Sequence, residues 1–283
     1  MPELPEVETV RRGLSPAFEG ARILHVEQRR ANLRFAFPPD FAAQLTGVVV
    51  EELTRRAKYI LARLDSGQTL IMHLGMSGSF RVDEASLGEF AHPRGKAGAH
   101  DHVIFTLSNG RRVTYNDPRR FGFMLLARSA TLSAHPLFCD LGVEPLDAAF
   151  DAAALRRLLA GKRTPIKAAL LDQRLIAGLG NIYVCESLHR AGISPLQEAG
   201  GLKRGAVKKL AQAIPEILHE ALRAGGSTLR DHRQIDGELG NFQHSFAVYG
   251  REGQDCLQPR CAGIIGRIVQ SGRSSFYCAR CQR

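Results

Sequence analysis

The last 28 residues of this 283-residue chain hold Cys256, Cys261, Cys278 and Cys281, a C-x4-C pair and a C-x2-C pair separated by sixteen residues. Few sequence features restrict a fold more tightly. Two close pairs of thiolates carried on a β-ribbon make a closed tetrahedral zinc site, and four protein ligands leave no position open for catalysis, so one zinc ion with a structural role is expected. Two disulfides, four unrelated cysteines or an iron–sulfur cluster are the competing readings. Between the pairs, Ile264 to Val269 and Ser274 to Tyr277 read as strands joined by Gln270-Ser271-Gly272-Arg273, a tip that presents Arg273. The remaining cysteines, Cys139 and Cys185, are expected to be small buried hydrophobes.

Lys and Arg number 38 against 28 Asp and Glu, a net charge of +10 that favours a polyanionic partner. No apolar run has signal-peptide or membrane-spanning length, so a cytoplasmic protein is expected. That compartment also argues for metal over disulfides.

Val7, Val10, Leu14 and Phe18 recur at helical spacing, so a helix is expected over Glu6 to Phe18. From Ala21 to Arg128 the pattern changes to short β-rich runs, among them Ile23 to Val26, Val48 to Val50, Tyr59 to Ala62, Thr69 to Met72 and Val103 to Leu107. Asn109-Gly110 between two such runs is a hairpin signal. An antiparallel sandwich or barrel follows. Periodicity is lost between His135 and Pro145, and helices dominate afterwards: Phe150 to Leu159, a second capped by Thr164 with Pro165 at its first position and running to about Arg174, a third from Asn181 to Gly192, and a fourth from Leu202 to Arg223 that Pro215 should kink or divide. The domain boundaries are placed at 1–134, a linker 135–149, a helical domain 150–245 and a metal module 246–283.

The opening residues Met1-Pro2-Glu3-Leu4-Pro5-Glu6 combine a proline and two carboxylates. Methionine is normally removed before a small second residue, which would leave Pro2 as a terminal secondary amine. Such a group titrates near 7.7–8.0, so an appreciable fraction is unprotonated at neutral pH and able to attack a carbonyl carbon. Glu3 and Glu6 lie within a helical turn of it and could move protons. The alternative is an ordinary helix start, where Pro and Glu suit the unpaired donors and the dipole.

Two segments in the β region stand out, His73-Leu74-Gly75-Met76-Ser77-Gly78 and Asn116-Asp117-Pro118-Arg119-Arg120-Phe121-Gly122. Met76 between glycines and Phe121 beside Arg119 and Arg120 fit a wedge that enters a duplex while cations hold its backbone; core packing is the plainer reading. Lys58, in a basic cluster, is either solvated or a phosphate ligand. Gly178-Leu179-Gly180-Asn181 lacks the third glycine and the βαβ context of a dinucleotide site, since Tyr183 stands where that glycine is required. A glycine-rich turn into a helix still aims N–H groups at an anion, with Asn181 adding a donor, a DNA phosphate being the expected one; an ordinary helix–helix turn is the plainer reading.

Together these motifs resemble the bacterial formamidopyrimidine-DNA glycosylase family, over the whole chain and in the right order: Pro2 to Glu8 its amino terminus, Asn116 to Gly122 its intercalation loop, Gly178 to Tyr183 its helix–two-turn–helix, Cys256 to Cys281 its zinc finger. The resemblance implies an α+β protein of two domains, an N-terminal antiparallel β-sandwich with an N-terminal helix and a C-terminal helix–two-turn–helix domain with a zinc-finger β-ribbon. It implies a monomeric bifunctional DNA glycosylase/AP lyase that excises oxidised purines from double-stranded DNA and cuts the strand by β,δ-elimination. By the same resemblance Pro2 is the nucleophile, Glu3 its acid/base partner and Lys58 a phosphate ligand near the lesion, these three forming the catalytic group with Glu6 as a supporting acid. His73, Met76, Arg119, Arg120 and Phe121 meet DNA, Arg119 facing the orphan base. Asn181 and Arg273 hold flanking phosphates, and Thr228 belongs to a lesion-capping loop from Gly225 to about Phe242. The family's first zinc pair is commonly C-x2-C, and the C-x4-C here departs from it. An oxidised-pyrimidine glycosylase of the endonuclease VIII type and a DNA-binding protein without catalysis are the alternatives.

Overall fold

The computed structural model describes residues 2–84, 98–227 and 241–283. Thr228 and the rest of the expected lesion loop up to residue 240 lie outside them. The chain forms two compact units, Met1–Cys139 with Gly225–Gly240, and Asp140–Ala224 with Asn241–Arg283.

The first unit begins with α1 (Leu4–Phe18), followed by β1 (Ile23–Gln28), the short α2 (Phe41–Leu45), β2 (Val50–Arg56), β3 (Tyr59–Leu64), β4 (Gln68–His73), β5 (Ser79–Glu84), β6 (Asp101–Leu107), β7 (Arg111–Asn116) and β8 (Phe123–Arg128). Two four-stranded antiparallel sheets result, ordered β1-β6-β7-β5 and β2-β3-β4-β8. Both contribute to one apolar core with α1, whose Val7, Val10, Leu14 and Phe18 are buried. The sandwich expected from the sequence is therefore present, and the Asn109-Gly110 turn joins β6 to β7 with Gly110 at φ 80°. α1 starts two residues earlier than its periodicity suggests, because Pro5 sits in the first turn, where its missing N–H costs nothing. Val48 and Val49 precede β2 rather than forming it; the strand runs on through the charged Glu51 to Arg56, paired to β3.

In the second unit, α3 (Ala152–Leu159) is capped by the Asp151 carboxylate, which accepts from Ala154 N at 2.7 Å. The next helix is shorter than expected: α4 covers only Ile166–Leu171. Thr164 does not cap it, since its carbonyl instead accepts from Ala199 N while Pro165 bridges Glu198. Gln173 ends it by bonding Leu171 O, Leu179 O and Gly178 N, which turns the chain toward the glycine pair. α5 (Asn181–Ala191) closes on Gly192 at φ 70°, as the sequence suggested.

α6 (Arg204–Arg223) is one helix of 20 residues with Pro215 inside it, so the expected division does not occur. An interior proline costs about 3 kcal/mol. The buried stripe on both sides of it, Val207, Leu210, Ile214, Ile217, Leu218 and Ala221, outweighs that at about 1.5–3 kcal/mol for each large side chain. β9 (Ile265–Gln270) and β10 (Arg273–Cys278) form the terminal hairpin, turning through Ser271 and Gly272, both at positive φ.

Cys185 is buried, whereas Cys139 is exposed, contrary to expectation. Phe138 takes the inward position beside it and packs on Tyr59, leaving Cys139 on the outer side of a turn whose amide bonds His135 O. Among the described residues no helix is long and apolar enough to cross a membrane.

Glu186 on α5 is 2 % exposed and accepts from the amides of Ala247, Val248 and Tyr249 at 2.8–3.0 Å. Burial raises its pKa, against the lowering effect of those amides. Glu186→Ala orphans three donors and should destabilise the second unit by about 2–4 kcal/mol in urea unfolding, with Glu186→Gln costing less because an amide oxygen can still accept. Equal losses for the two substitutions would remove the carboxylate from this role.

Candidate functional site

At the amino end, Pro2, Glu3 and Glu6 are all buried. Glu3 occupies the position before α1 with extended φ/ψ, and its carbonyl receives the Val7 amide. Glu6 is fully occupied: Oε2 accepts from Glu3 N at 2.9 Å, and Oε1 accepts from Ser227 N at 2.8 Å and Ser227 Oγ at 2.9 Å. Gly226 lies so near that a Cβ there would stand 3.2 Å from Glu6 Oε1. Farther along α1, Arg11 donates to Leu53 O on β2, and Glu8 pairs with Arg11 and Arg55. Burial acts to raise the Glu8 pKa, but these guanidiniums prevail and lower it. The helix that carries Pro2 is thereby fixed to the sheet.

Lys58, also buried, follows Ala57 at φ 52° in the turn between β2 and β3, where Arg55 holds the Ala57 carbonyl at 2.9 Å. Across β3 and β4, Tyr59 pairs with His73, whose ring stacks on Phe123 with centroids 5.0 Å apart. Burial, with the Lys58 and Arg34 charges, brings His73 down to about 4. It is neutral at physiological pH. Because its Nδ1 accepts from Gly75 N at 3.0 Å, the ring proton sits on Nε2.

The two candidate wedge segments are the turn between β4 and β5 and the turn between β7 and β8. They touch. A Cβ at Gly75 would collide with the Phe121–Gly122 backbone, and one at Gly122 with the Tyr115 hydroxyl, so glycine is required at both contacts. Met76 is half-buried, Arg119 and Arg120 are exposed, and Phe121 is 43 % exposed with the Arg119 guanidinium 5.0 Å from its ring centre. Arg120 takes φ 55°, which turns the segment back toward β8.

On the second unit, Asn181 opens α5 and donates from Nδ2 to Ser274 O at 2.9 Å. That carbonyl also receives Lys167 Nζ at 2.9 Å, and Lys167 donates to Ser275 Oγ at 2.6 Å. Asn181 is thus tied to the residue next to the exposed Arg273. Lys167 is 0 % exposed, and burial lowers its pKa.

The four cysteine sulfurs lie within 4.8 Å of one another, with Cys256 and Cys281 at 3.7 Å and Cys261 and Cys278 at 3.6 Å. A zinc–sulfur tetrahedron with bonds of about 2.3 Å has edges of about 3.8 Å, so the donor set fits one structural zinc. The longer first knuckle closes because Arg260 takes φ 64° and Cys261 N bonds Gln258 O at 3.0 Å. Gly263 is required beside it, since a Cβ there would lie 2.6 Å from Cys278 Sγ. His189 Nε2 reaches Cys256 Sγ at 3.4 Å.

Sequence reasoning missed Ser77, Tyr115, Asp117, Lys167 and Ser227. A lysine inside the apolar run Ile166-Lys167-Ala168-Ala169-Leu170-Leu171 was a readable signal of a satisfied buried cation. Ser227 had none, because its partner Glu6 is 221 residues away.

The neutral His73 has a consequence for stability. Its folded pKa of about 4 lies below the ordinary 6.5, so the unfolded chain binds the extra proton and stability falls as pH drops from about 6.5 through about 4. Urea unfolding at pH 7 and pH 4.5 should show wild type losing about 2 kcal/mol more than His73→Gln. Parallel losses would contradict a neutral buried ring.

Residues 1–124 match the formamidopyrimidine-DNA glycosylase N-terminal domain, 141–233 the formamidopyrimidine-DNA glycosylase H2TH domain, and 259–283 the zinc finger found in FPG and IleRS. The chain is 60% identical to the formamidopyrimidine-DNA glycosylase of Methylocella silvestris, with 100% of each covered. A crystal structure of the MutM (FPG) protein of Thermus thermophilus superposes with a TM-score of 0.84 at 40% identity, covering 99% of this chain and 98% of that one. A Lactococcus lactis FPG variant in complex with a Fapy-dG containing DNA superposes at 0.87 and 34% identity, with 100% of both chains covered. Sandwich, helix–two-turn–helix and four-cysteine module together place this chain in the formamidopyrimidine-DNA glycosylase family.

Proposed function

We propose that the protein is a bifunctional DNA glycosylase/AP lyase of base excision repair, acting as a monomer on oxidised purines in double-stranded DNA. The observation that carries this reading is the buried amino end, where Pro2 and Glu3 stand at the start of α1 while Glu6 spends its carboxylate on the backbone. In this reading Pro2, freed of Met1, attacks the sugar C1′ as the damaged base leaves, giving an iminium. Glu3 moves the proton that opens the deoxyribose ring. Glu6 fixes the helix terminus and does not turn over protons. The iminium acidifies the C2′ proton, and successive β- and δ-eliminations release the strand ends on both sides of the abasic site.

A target base must leave the stack, at a cost on the order of a few kcal/mol. Met76 and Phe121 fill the vacated space, with Arg119 facing the orphan base. Arg120 steadies the backbone beside them, and Lys58 and the Nε2–H of His73 hold phosphates near the lesion. Asn181 and Arg273 grip flanking phosphates, and Thr228 belongs to the loop that reads the extruded base. The zinc module carries Arg273 and supplies no chemistry. Acting on DNA, the enzyme would work in the cytoplasm, on the nucleoid.

Borohydride should trap a covalent adduct between wild-type protein and duplex DNA containing 8-oxoguanine opposite cytosine. An uncleaved amino-terminal extension, with Lys58 intact, should abolish it; an undiminished adduct would move the nucleophile away from Pro2. Faster release of thymine glycol than of 8-oxoguanine would favour the pyrimidine-lesion alternative. Separately, Arg273→Ala should weaken duplex binding and reduce the slope of log affinity against log salt by about 0.9, the share of one phosphate contact. An unchanged slope removes Arg273 from the phosphates.

A further inference from the structure

Asp117 takes no part in the steps above, yet its side chain is 0 % exposed and sits where the two wedge segments meet. Oδ1 accepts the Ser77 hydroxyl at 2.6 Å. Oδ2 accepts Gly122 N at 2.8 Å and the Tyr115 hydroxyl at 3.3 Å. Ser77 Oγ, its proton directed to the carboxylate, accepts Arg119 N at 3.2 Å. The Asp117 carbonyl receives Arg120 N at 3.2 Å and His102 Nε2 at 2.8 Å, so that imidazole carries its proton on Nε2. One residue therefore bonds Arg120 and Gly122 directly and, 40 positions away in sequence, Ser77 next to Met76, which in turn holds the Arg119 amide.

Two loops that each cross from one sheet to the other would ordinarily move independently, and each side chain entering a base stack would bear its own ordering cost. Here neither can shift without breaking a hydrogen bond to a buried carboxylate, and the Gly75 and Gly122 contacts leave no room for a side chain between them. We propose that Asp117 is a positioning residue that locks the His73–Gly78 and Asn116–Gly122 segments into one body, so that Met76, Arg119 and Phe121 enter the duplex together. Filling of the void is then coupled to reading of the orphan base. This rests on the wedge reading of those three side chains.

Asp117→Asn keeps the size but removes the charge and replaces one acceptor with a donor, so the Ser77 hydroxyl must turn its proton away and the charge-assisted bonds to Ser77 and Gly122 become weaker, neutral ones. Single-turnover excision of 8-oxoguanine opposite cytosine should fall about 10- to 100-fold, with a narrower preference for cytosine over adenine opposite the lesion. Cleavage at a preformed abasic site in single-stranded DNA, where no partner strand has to be wedged apart, should change less than about twofold. Ser77→Ala should act in the same direction, Ser77→Thr should restore wild-type behaviour, and the Asp117→Asn/Ser77→Ala double variant should be no worse than Asp117→Asn. Equal losses on both substrates, or no loss on the duplex, overturn the proposal. Amide hydrogen exchange provides a readout without DNA: in Asp117→Asn, the Arg119 and Gly122 amides should exchange at least about tenfold faster while β7 amides do not change. Unchanged exchange overturns the coupling, whereas wild-type protein inactive on 8-oxoguanine with faster exchange in the variant would sink the glycosylase reading and leave the coupling standing.

Discussion

A chain end is normally the least ordered part of a domain, and the hydrogen bonds of Glu6 are what prevent that here. One carboxylate holds the amide at the start of α1 and Ser227, the last described residue before 228–240. If Pro2 is to meet a sugar carbon in a defined geometry, its helix cannot fray, because reacting groups must be held near 3 Å to gain from proximity. α1 meets this requirement from both directions, by Glu6 at its first turn and by Arg11, Glu8 and Arg55 along its length.

The same device recurs. Glu6, Asp117 and Glu186 are buried carboxylates, each accepts a backbone amide from an irregular segment, and each reaches a partner remote in sequence, a hydroxyl in the case of Asp117. Irregular backbone has no ladder to satisfy its donors, and an unpaired buried N–H costs as much as a lost hydrogen bond. An ionised acceptor with several lone pairs answers several donors at once, with bonds stronger than neutral ones. Loops that must keep a particular shape without regular secondary structure are therefore built around acids, and the positions of those acids are fixed by the strands and helices that carry them.

How much of this could be read from the sequence follows from the range of the forces involved. The α1 stripe, the Asn109-Gly110 hairpin and the cysteine pairs are local patterns, and each appears where its spacing put it. Of the two outcomes expected at Pro215, division does not occur, because local propensity says nothing about a packed stripe on both sides of the proline. Thr164 misled because a pairing with the segment around Glu198 took its place as a cap. Asp117 stood in the Asn116–Gly122 segment with no role of its own; its bond to Ser77 spans 40 residues, and no local rule joins them. Of the candidate site, the residues that would touch DNA were legible as motifs, while the residues that hold them were not.

That division has a physical origin in what an inserting wedge must do. Phe121 is exposed, an arrangement that offers no gain in the free protein beyond its contact with Arg119. Burying a side chain of that size recovers about 1.5–3 kcal/mol, comparable to the cost of unstacking a base. The two nearly cancel, so the outcome turns on smaller terms, chiefly the roughly 0.5–1.5 kcal/mol needed to immobilise each rotamer-rich side chain on binding. A wedge already held by buried hydrogen bonds avoids part of that charge. The exposed residues of such a loop set what it can touch, and the enclosed residues beneath set whether touching is favourable.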